Sequence, residues 1–305
     1  MTDIPYPVGV PGQPWGNAER DRWRALQIRQ RRYDEDVVPR IHALADRFEK
    51  VAYGRLDYGG EIYALLALRN SVFDPALPTA LITGGVHGYE TSGVLGVLEF
   101  LETRAADYAG RINLLAVPCV SPWGYERIHR WNYDAIDPNR NFRADGPAGE
   151  AVALIELVRS AGTDFLLHID LHETTDSDES EFRPALAARD GKAYEPGEIP
   201  DGFYLVDDSE NPQPAFQQAI IAAVEQVTHI APPDAKGEII GSPVVAHGVI
   251  EYPLTALALC TSITGAHYTA TTEVYPDSVR TTSAECVDAQ VAAVCAALDY
   301  ALAHR

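Results

Sequence analysis

A short apolar strand that ends on two glycines and leads directly into a helix constrains this chain more than any other feature. The strand pattern covers residues 80–83, the glycines are residues 84–85, and the helical pattern begins at Ser92. His87 and Glu90 lie in the turn between them, so both side chains can enter the crevice where open α/β sheets bind ligands. An imidazole and a carboxylate suit Zn²⁺ in a catalytic site, which needs a third protein ligand and a free position for water.

The best candidate for a third ligand ends a second buried strand. Residues 165–172 are apolar and bounded by polar segments, as in a strand of the core, and His172 lies at the carboxyl end. His168 and Asp170 share its parity and can face the same side of the sheet. His168 lies about 13 Å deeper at roughly 3.3 Å per residue, so we expect a core histidine there. Asp170 is expected to accept a hydrogen bond from the ring of His172.

A third polar cluster lies between these two segments. It contains Arg130, Asn139 and Arg140, in a loop punctuated by Pro138 and several asparagines. Arginine forks bind carboxylates through two parallel charge-assisted hydrogen bonds, and an asparagine adds a further donor. The alternative is a surface turn with ordinary salt bridges, and for this cluster alone that alternative is the simpler one.

The clusters together, in their order along the chain, resemble the motifs of the M14 zinc carboxypeptidases. Relatives of that family include the murein-peptide amidases and the succinylglutamate desuccinylase/aspartoacylase group. The resemblance implies one zinc ion, bound by His87, Glu90 and His172. The matching motifs, in the central part of the chain, are His-Gly-Tyr-Glu at 87–90, Arg-Trp-Asn at 130–132, Asp-Pro-Asn-Arg-Asn-Phe at 137–142 and Asp-Leu-His at 170–172.

The resemblance also implies roles for residues that do not bind the metal. Arg130 would polarise the scissile carbonyl, and Asn139 and Arg140 would bind the free carboxylate of the substrate. The family uses a glutamate on a late strand as general base and then general acid. Residues 267–275 are rich in β-branched and aromatic side chains, which is typical of a strand, and Glu273 near its end is the match. The alternative for Glu273 is an exposed glutamate at a strand end.

Two features depart from the family pattern and leave the substrate class open. The spacing between Glu90 and His172 is shorter than in digestive carboxypeptidases and closer to the deacylase branch. The segment after His172 is broken by prolines, which predicts an irregular insertion over about 174–214 that covers the site. Tyr252 is the nearest match to a tyrosine that covers the site in the family. The acidic residues 176–181 are expected to be a solvated loop, with a pocket wall for a cation as the alternative.

The broad composition is that of an enzyme in solution. The 305 residues carry a net charge of −20, which disfavours nucleic acids and anionic membranes as partners. No basic amino-terminal region precedes an apolar stretch, and no apolar run appears long enough to span a bilayer. The four cysteines lack metal-knuckle spacing and are expected to be reduced core thiols of a cytoplasmic protein.

Alternating strand and helix patterns predict one α/β domain over residues 1–305. We expect a mixed, mostly parallel twisted sheet with helices on both faces, which is the zinc carboxypeptidase-like fold. A helical extension over about 17–50 should precede a hairpin at 51–69. Further helices are predicted from Ser92, at 149–161, at 214–229 and from Ser283 to about Ala303.

The predicted activity is hydrolysis of an amide bond next to a free carboxylate by a zinc carboxypeptidase. The alternatives are an N-acyl amino acid deacylase of the desuccinylase or aspartoacylase type, and a zinc-binding domain without catalysis. The substrate would be a peptide or an N-acyl amino acid. Glu273 and Arg130 disfavour the non-catalytic alternative, because a structural zinc site is closed by a fourth protein ligand.

Overall fold

One mixed sheet forms the centre of the computed structural model, which describes residues 6–305. In this part of the chain eight strands are hydrogen bonded in the order β1-β2-β4-β3-β5-β10-β6-β9, and β7 and β8 form a separate hairpin. The strands are β1 (Phe48–Tyr58), β2 (Glu61–Asn70), β3 (Thr79–Gly84), β4 (Asn113–Val117), β5 (Phe165–Glu173), β6 (Tyr204–Asp208), β7 (Glu238–Ile239), β8 (Ser242–Pro243), β9 (Val249–Tyr252) and β10 (Tyr268–Val274).

The pairing of the strands is parallel in the middle of the sheet and antiparallel near its flanks. β4, β3, β5 and β10 run parallel, and so do β6 and β9. The pairs β1–β2, β2–β4 and β10–β6 are antiparallel. The predicted mixed, mostly parallel sheet is therefore confirmed.

Helices cover both faces of the sheet. On one face α4, α8 and α9 pack against residues such as Ile82 and Leu171, and on the other α6 packs against residues such as Leu81 and Leu115. Successive residues of β3 thus enter different cores, which explains why the whole strand is apolar or buried. The helices are α1 (Asn17–Leu26), α2 (Tyr33–Asp36), α3 (Val38–Ala43), α4 (Thr91–Thr103), α5 (Pro122–Arg127), α6 (Gly149–Ala161), α7 (Arg183–Asp190), α8 (Pro214–Val224) and α9 (Ser283–Ala303).

The amino-terminal region departs from prediction at its end. The segment from Asn17 contains α1, α2 and α3, but β1 already begins at Phe48, inside the stretch that was expected to be helical. The predicted hairpin is present as β1 and β2. Its turn is formed by Gly59 and Gly60, whose φ angles of 66° and 90° favour glycine. Gly54 lies at a β-bulge instead, where the register with β2 shifts.

The segment at 174–214 is not irregular throughout, so that prediction is wrong. It contains a π-helical turn at Asp178–Phe182, then α7, then β6, which joins the main sheet between β10 and β9. Pro184 lies in the first turn of α7, where a missing N–H breaks no helical hydrogen bond. Pro184 and Pro214 start helices, whereas Pro196, Pro200 and Pro212 lie outside helices and strands, as expected of an irregular segment.

The carboxyl-terminal helix α9 departs from the expectation that no apolar run is long enough to span a bilayer. With 21 residues, it is the one helix of residues 6–305 that is long and apolar enough to cross a membrane, by length and composition only. In the fold it packs against α4, α8, β5 and β10. Length and composition can be the same for a membrane span and for a core helix that is buried in a fold.

Close contact between α4 and β5 positions the turn that carries His87 and Glu90. Gly93, in the first turn of α4, lies so near β5 that a Cβ there would be 2.3 Å from the carbonyl oxygen of Leu171. No L side chain fits at that distance without backbone movement. The helix can therefore dock at this depth because residue 93 is glycine.

We expect Gly93→Ala to lower the free energy of unfolding by about 1 to 3 kcal/mol, because the added methyl group overpacks a backbone contact. Urea denaturation measures this change. Gly149→Ala, at the start of α6, is the control: its Cβ would meet no backbone atom, and its nearest neighbour would be the flexible end of Leu56 at 3.0 Å. Equal stability of the Gly93→Ala variant and the native protein would show that α4 can move away from β5 without a loss of folding free energy.

Candidate metal centre and active site

Three adjacent parallel strands end at one edge of the sheet and bring the predicted metal ligands together. β3 leads into the turn with His87 and Glu90, and Gly84 pairs with Leu171 on β5, next to His172. The donor atoms of His87, Glu90 and His172 all lie within 4.8 Å of one another. In residues 6–305 no fourth His, Cys, Asp or Glu joins this group. Three protein donors with an open position are typical of a catalytic zinc site.

Both imidazoles turn the same ring nitrogen toward one carboxylate oxygen. Oε1 of Glu90 lies 2.7 Å from Nδ1 of His87 and 2.8 Å from Nδ1 of His172. All three residues are almost completely buried. A cation among these atoms would be bound by two nitrogens and one oxygen, the donor set that suits zinc.

Two further carboxylates hold the opposite nitrogens of the rings. Nε2 of His87 donates to Oδ1 of Asp137 at 2.9 Å, and Nε2 of His172 donates to Oδ2 of Asp170 at 2.6 Å. Each carboxylate thereby fixes the tautomer in which Nδ1 has a free lone pair for a metal. Asp170 thus lies where the sequence placed it, and Asp137 has a role that the sequence analysis did not assign.

Burial and neighbouring charges have opposite effects on the pKa values of the metal-ligand residues. Burial opposes ionisation of Glu90, yet the histidines beside it lower its pKa to about 2. Burial also opposes a charge on His172, but the carboxylates of Asp170 and Glu90 raise its pKa well above the usual value. The carboxylates of Glu90, Asp137 and Asp170 thus surround the two imidazoles with negative charge, and a metal cation bound between neutral rings would offset that charge.

Arg130 is held rigidly beside the metal ligands. Its Nε donates to Asp137 at 3.1 Å, and its Nη1 donates to the hydroxyl of Tyr89 at 2.9 Å and to Asp178 at 3.2 Å. Its guanidinium also stacks over the ring of Phe182 at 4.3 Å. Because Asp137 contacts both His87 and Arg130, one carboxylate fixes the positions of a metal ligand and the arginine.

Asp178 shows that the acidic segment at 176–181 was only partly understood from sequence. Its carboxylate is buried and accepts hydrogen bonds from Tyr89, Arg130 and the backbone N–H of Thr175. Asp176 and Ser177 next to it are exposed, as in the expected solvated loop. Buried and exposed residues thus lie side by side in this acidic segment, and its charge composition does not show which of them are buried.

The predicted carboxylate clamp lies on the loop that carries Asp137. Oδ1 of Asn139 accepts from the backbone N–H of Cys260 at 2.8 Å, while Nδ2 lies 3.4 Å from Nε2 of His172. Because that ring nitrogen donates its proton to Asp170, the Asn139 amide protons are available to a ligand. Arg140 is exposed and donates to the carbonyl oxygen of Asn139 at 2.6 Å.

Glu273 lies beside His172 across the pair β5–β10. The two residues are register partners on parallel strands, and Tyr204 is the partner of Glu273 on β6. Thr174 donates to Oε2 of Glu273 at 2.9 Å and lies 2.8 Å from the Tyr204 hydroxyl, which must then be the donor to Thr174. Burial, with a further contribution from Glu90, raises the pKa of Glu273 to about 7 although His172 opposes it.

Glu173 and His168 lie close to the metal ligands in the sequence but have structural roles. Glu173, the next residue after His172, accepts from the backbone N–H groups of Thr91 and Ser92 at the start of α4 and so caps that helix. His168 is completely buried beside the hydroxyl of Thr83, at 3.2 Å, as a core histidine. Burial lowers the pKa of His168 to about 4.

Tyr252 lies at the end of β9, two strands away from Glu273 in the sheet order. Its hydroxyl accepts a hydrogen bond from Ser242 at 3.4 Å. The structure does not bring Tyr252 to the metal ligands, and its role as a residue that covers the site stays a prediction.

Comparisons with known proteins agree with this geometry at the level of the fold. Neither models of protein families nor curated proteins match the sequence. A presumptive metallopeptidase of Shewanella amazonensis SB2B is 22% identical, with a TM-score of 0.64 over 86% of this chain and 90% of the other. The chain has the metallocarboxypeptidase fold.

Two more distant structures extend the comparison. A metallo-carboxypeptidase of Pseudomonas aeruginosa, in complex with (2-guanidinoethylmercapto)succinic acid, is 15% identical, with a TM-score of 0.55 over 95% of this chain and 70% of the other. Bovine thrombin-activatable fibrinolysis inhibitor, in complex with tick carboxypeptidase inhibitor, is 14% identical, with a TM-score of 0.57 over 96% and 99%. At these identities the likeness establishes the fold, and the resemblance predicted from the motifs is confirmed at that level.

We expect His172→Ala to lose most of the zinc that the native protein binds, because one of three donors and the link to Asp170 disappear together. Elemental analysis of the purified proteins gives the zinc content per chain. His247→Ala, which removes an exposed histidine, serves as the control and should keep its zinc. Full zinc occupancy in His172→Ala would mean that another residue completes the site.

Proposed function

We propose that the protein is a zinc-dependent carboxypeptidase that cleaves the amide bond next to a free carboxylate. The observation that carries the proposal is the convergence of His87, Glu90 and His172 at one sheet edge, with Glu273 in register beside His172. The fold shared with metallocarboxypeptidases supports it. One zinc ion is the metal that the donor set suits, and it would supply Lewis acidity that polarises a carbonyl and lowers the pKa of water to about 7.

Glu273 is the general base in this proposal. Thr174 fixes one of its carboxylate oxygens, which leaves the other free to take a proton from water above the metal ligands. The raised pKa of about 7 lies near neutral pH, where a group can both accept a proton and return it to a leaving amine. Glu173 is a poor alternative, because backbone N–H groups of α4 occupy both of its oxygens.

Arg130 would stabilise the negative charge that develops on the carbonyl oxygen. Nε and Nη1 are bonded to Asp137, Tyr89 and Asp178, so the guanidinium keeps a fixed position before substrate arrives. A preorganised donor needs no reorganisation during the reaction, which is why such groups contribute strongly to rate. Asn139 and Arg140 would bind the free carboxylate and so determine which amide bond lies over the metal ligands.

The alternatives receive less support. The structural neighbours are named as metallopeptidases and carboxypeptidases, which favours a peptide substrate over an N-acyl amino acid. A non-catalytic zinc domain does not explain a fixed arginine, Arg130, and a carboxylate, Glu273, beside a group of only three metal donors.

The setting of the enzyme is also part of the proposal. Its four cysteines are buried free thiols, as in proteins of a reducing compartment such as the cytoplasm. The net charge of −20 disfavours nucleic acids and anionic membranes as partners.

Replacing Glu273 with Gln is expected to lower the turnover of carboxyl-terminal peptides by about 10² to 10⁴, because the amide cannot accept a proton. Zinc content and the unfolding transition should stay native, since the shape of the side chain is kept. Steady-state kinetics and elemental analysis test both points. Glu210→Gln, an exposed carboxylate on a turn, controls for the loss of one negative charge. Near-native turnover in Glu273→Gln would place the base elsewhere.

Replacing Arg140 with Ala should weaken peptides that carry a free terminal carboxylate and barely affect their amidated counterparts. Loss of a buried charge pair costs about 2 to 5 kcal/mol, and we expect the lower end because Arg140 is exposed. Arg140→Lys should restore activity only partly, since an ammonium group cannot form two parallel hydrogen bonds. The control is Arg143→Ala on the same loop. Equal losses on both peptide types would show that Arg140 stabilises the loop and does not bind substrate.

A further inference from the structure

A cavity of about 560 Å³ beside the candidate active site is unusually rich in arginine. Four of its twelve lining residues are arginines, whereas the whole chain has only 24 basic residues among 305. Two acidic residues, Asp137 and Asp190, also line it. The cavity is therefore positive in a protein whose net charge is −20. The four arginines are Arg20, Arg130, Arg140 and Arg189.

The acidic residues of the cavity are already engaged. Asp137 accepts from His87, Arg130 and the backbone N–H of Asn139. Asp190 pairs with Arg189 at 2.8 Å. These carboxylates therefore do not neutralise the remaining guanidinium groups.

Arg20 and Arg140 have no carboxylate within ion-pair distance anywhere in residues 6–305. Arg20 donates through Nη1 to the carbonyl oxygen of Asp134 at 2.7 Å, and Arg140 donates through Nη1 to that of Asn139 at 2.6 Å. These backbone bonds orient each guanidinium group without cancelling its charge. Both groups keep N–H donors for an anion, which an arginine fork binds well.

The rest of the wall suits an organic anion better than an inorganic one. Phe182, Leu186, Ile136 and Pro147 contribute apolar surface to the same cavity. A carboxylate at the end of a short hydrocarbon chain would place its methylene groups there and its charge among the arginines.

The cavity shares three residues, Arg130, Asp137 and Arg140, with the candidate active site. Asp137 and Arg130 form part of its wall and also contact the metal ligand His87 and each other. Arg140, to which we assign the free α-carboxylate, lines it too. The side chain of a carboxyl-terminal residue starts one bond from that α-carboxylate, so it can enter the same cavity.

We propose that this cavity binds the acidic side chain of the substrate's carboxyl-terminal residue, so that the enzyme prefers peptides ending in Glu or Asp. Arg20 binds the side-chain carboxylate, and Arg140 binds the α-carboxylate. The inference rests on the carboxypeptidase activity proposed above and names its substrate class.

Two peptides that differ only in a terminal Glu or Gln test the preference. We expect kcat/KM to be at least about tenfold higher for the Glu peptide, and Arg20→Gln to lower that ratio by about tenfold, the value of one charge-assisted hydrogen bond. Arg20→Lys should keep part of the preference. Arg143→Gln removes a positive charge outside the cavity, on the loop that carries Arg140, and should leave the ratio unchanged. A native ratio near one, or a ratio that Arg20→Gln does not alter, overturns the inference.

Calorimetry separates this inference from the proposed activity. N-acetylglutamate and N-acetylglutamine share an α-carboxylate and differ only in the side-chain charge. We expect the former to bind the native protein about tenfold more tightly, and Arg20→Gln to remove the difference. If neither peptide is cleaved, the carboxypeptidase assignment fails. The calorimetric comparison still shows whether the cavity prefers an acidic side chain. Equal binding of the two ligands to the native protein overturns the inference.

Discussion

The parallel pairing of β3, β5 and β10 is the constraint on which the rest of the site depends. Parallel strands end at the same edge of a sheet, so residues distant in the sequence become neighbours there without any special loop. A shift of one residue in this register would turn His172 or Glu273 to the opposite face. The buried cores on both sides fix the register, because neighbouring residues of each strand pack into different cores.

The sequence predicted the parts of the site that this register controls. His87, Glu90 and His172 follow or end apolar strands, and their positions could be inferred from periodicity and the resemblance to a family. Asp137 is different. Its carboxylate reaches His87 and Arg130 across a loop, and loop conformation depends on tertiary contacts that no local pattern reports. Asp178 was missed for the same reason, since its burial depends on Tyr89 and Arg130.

The errors in the fold have a common physical origin. Proline was interpreted as a sign of irregular structure at 174–214, although Pro184 starts α7 and β6 completes the sheet. Helical charge patterning was extended to Lys50, although pairing with β2 makes β1 a strand from Phe48. In each case contacts from distant parts of the chain determine a structure that local propensity leaves open.

The cap that Glu173 forms on α4 has an electrostatic consequence. The amino terminus of a helix carries partial positive charge and unpaired N–H groups, and many proteins use such ends to hold anionic ligands. Here α4 begins directly after Glu90, yet the carboxylate of Glu173 already accepts its first N–H groups. The first backbone N–H groups of α4, next to the metal ligands, are thus hydrogen bonded to a side chain of the protein itself. A negatively charged group that enters this crevice must find its counter-charge in side chains, and the positions of arginines on neighbouring loops determine where it comes to rest.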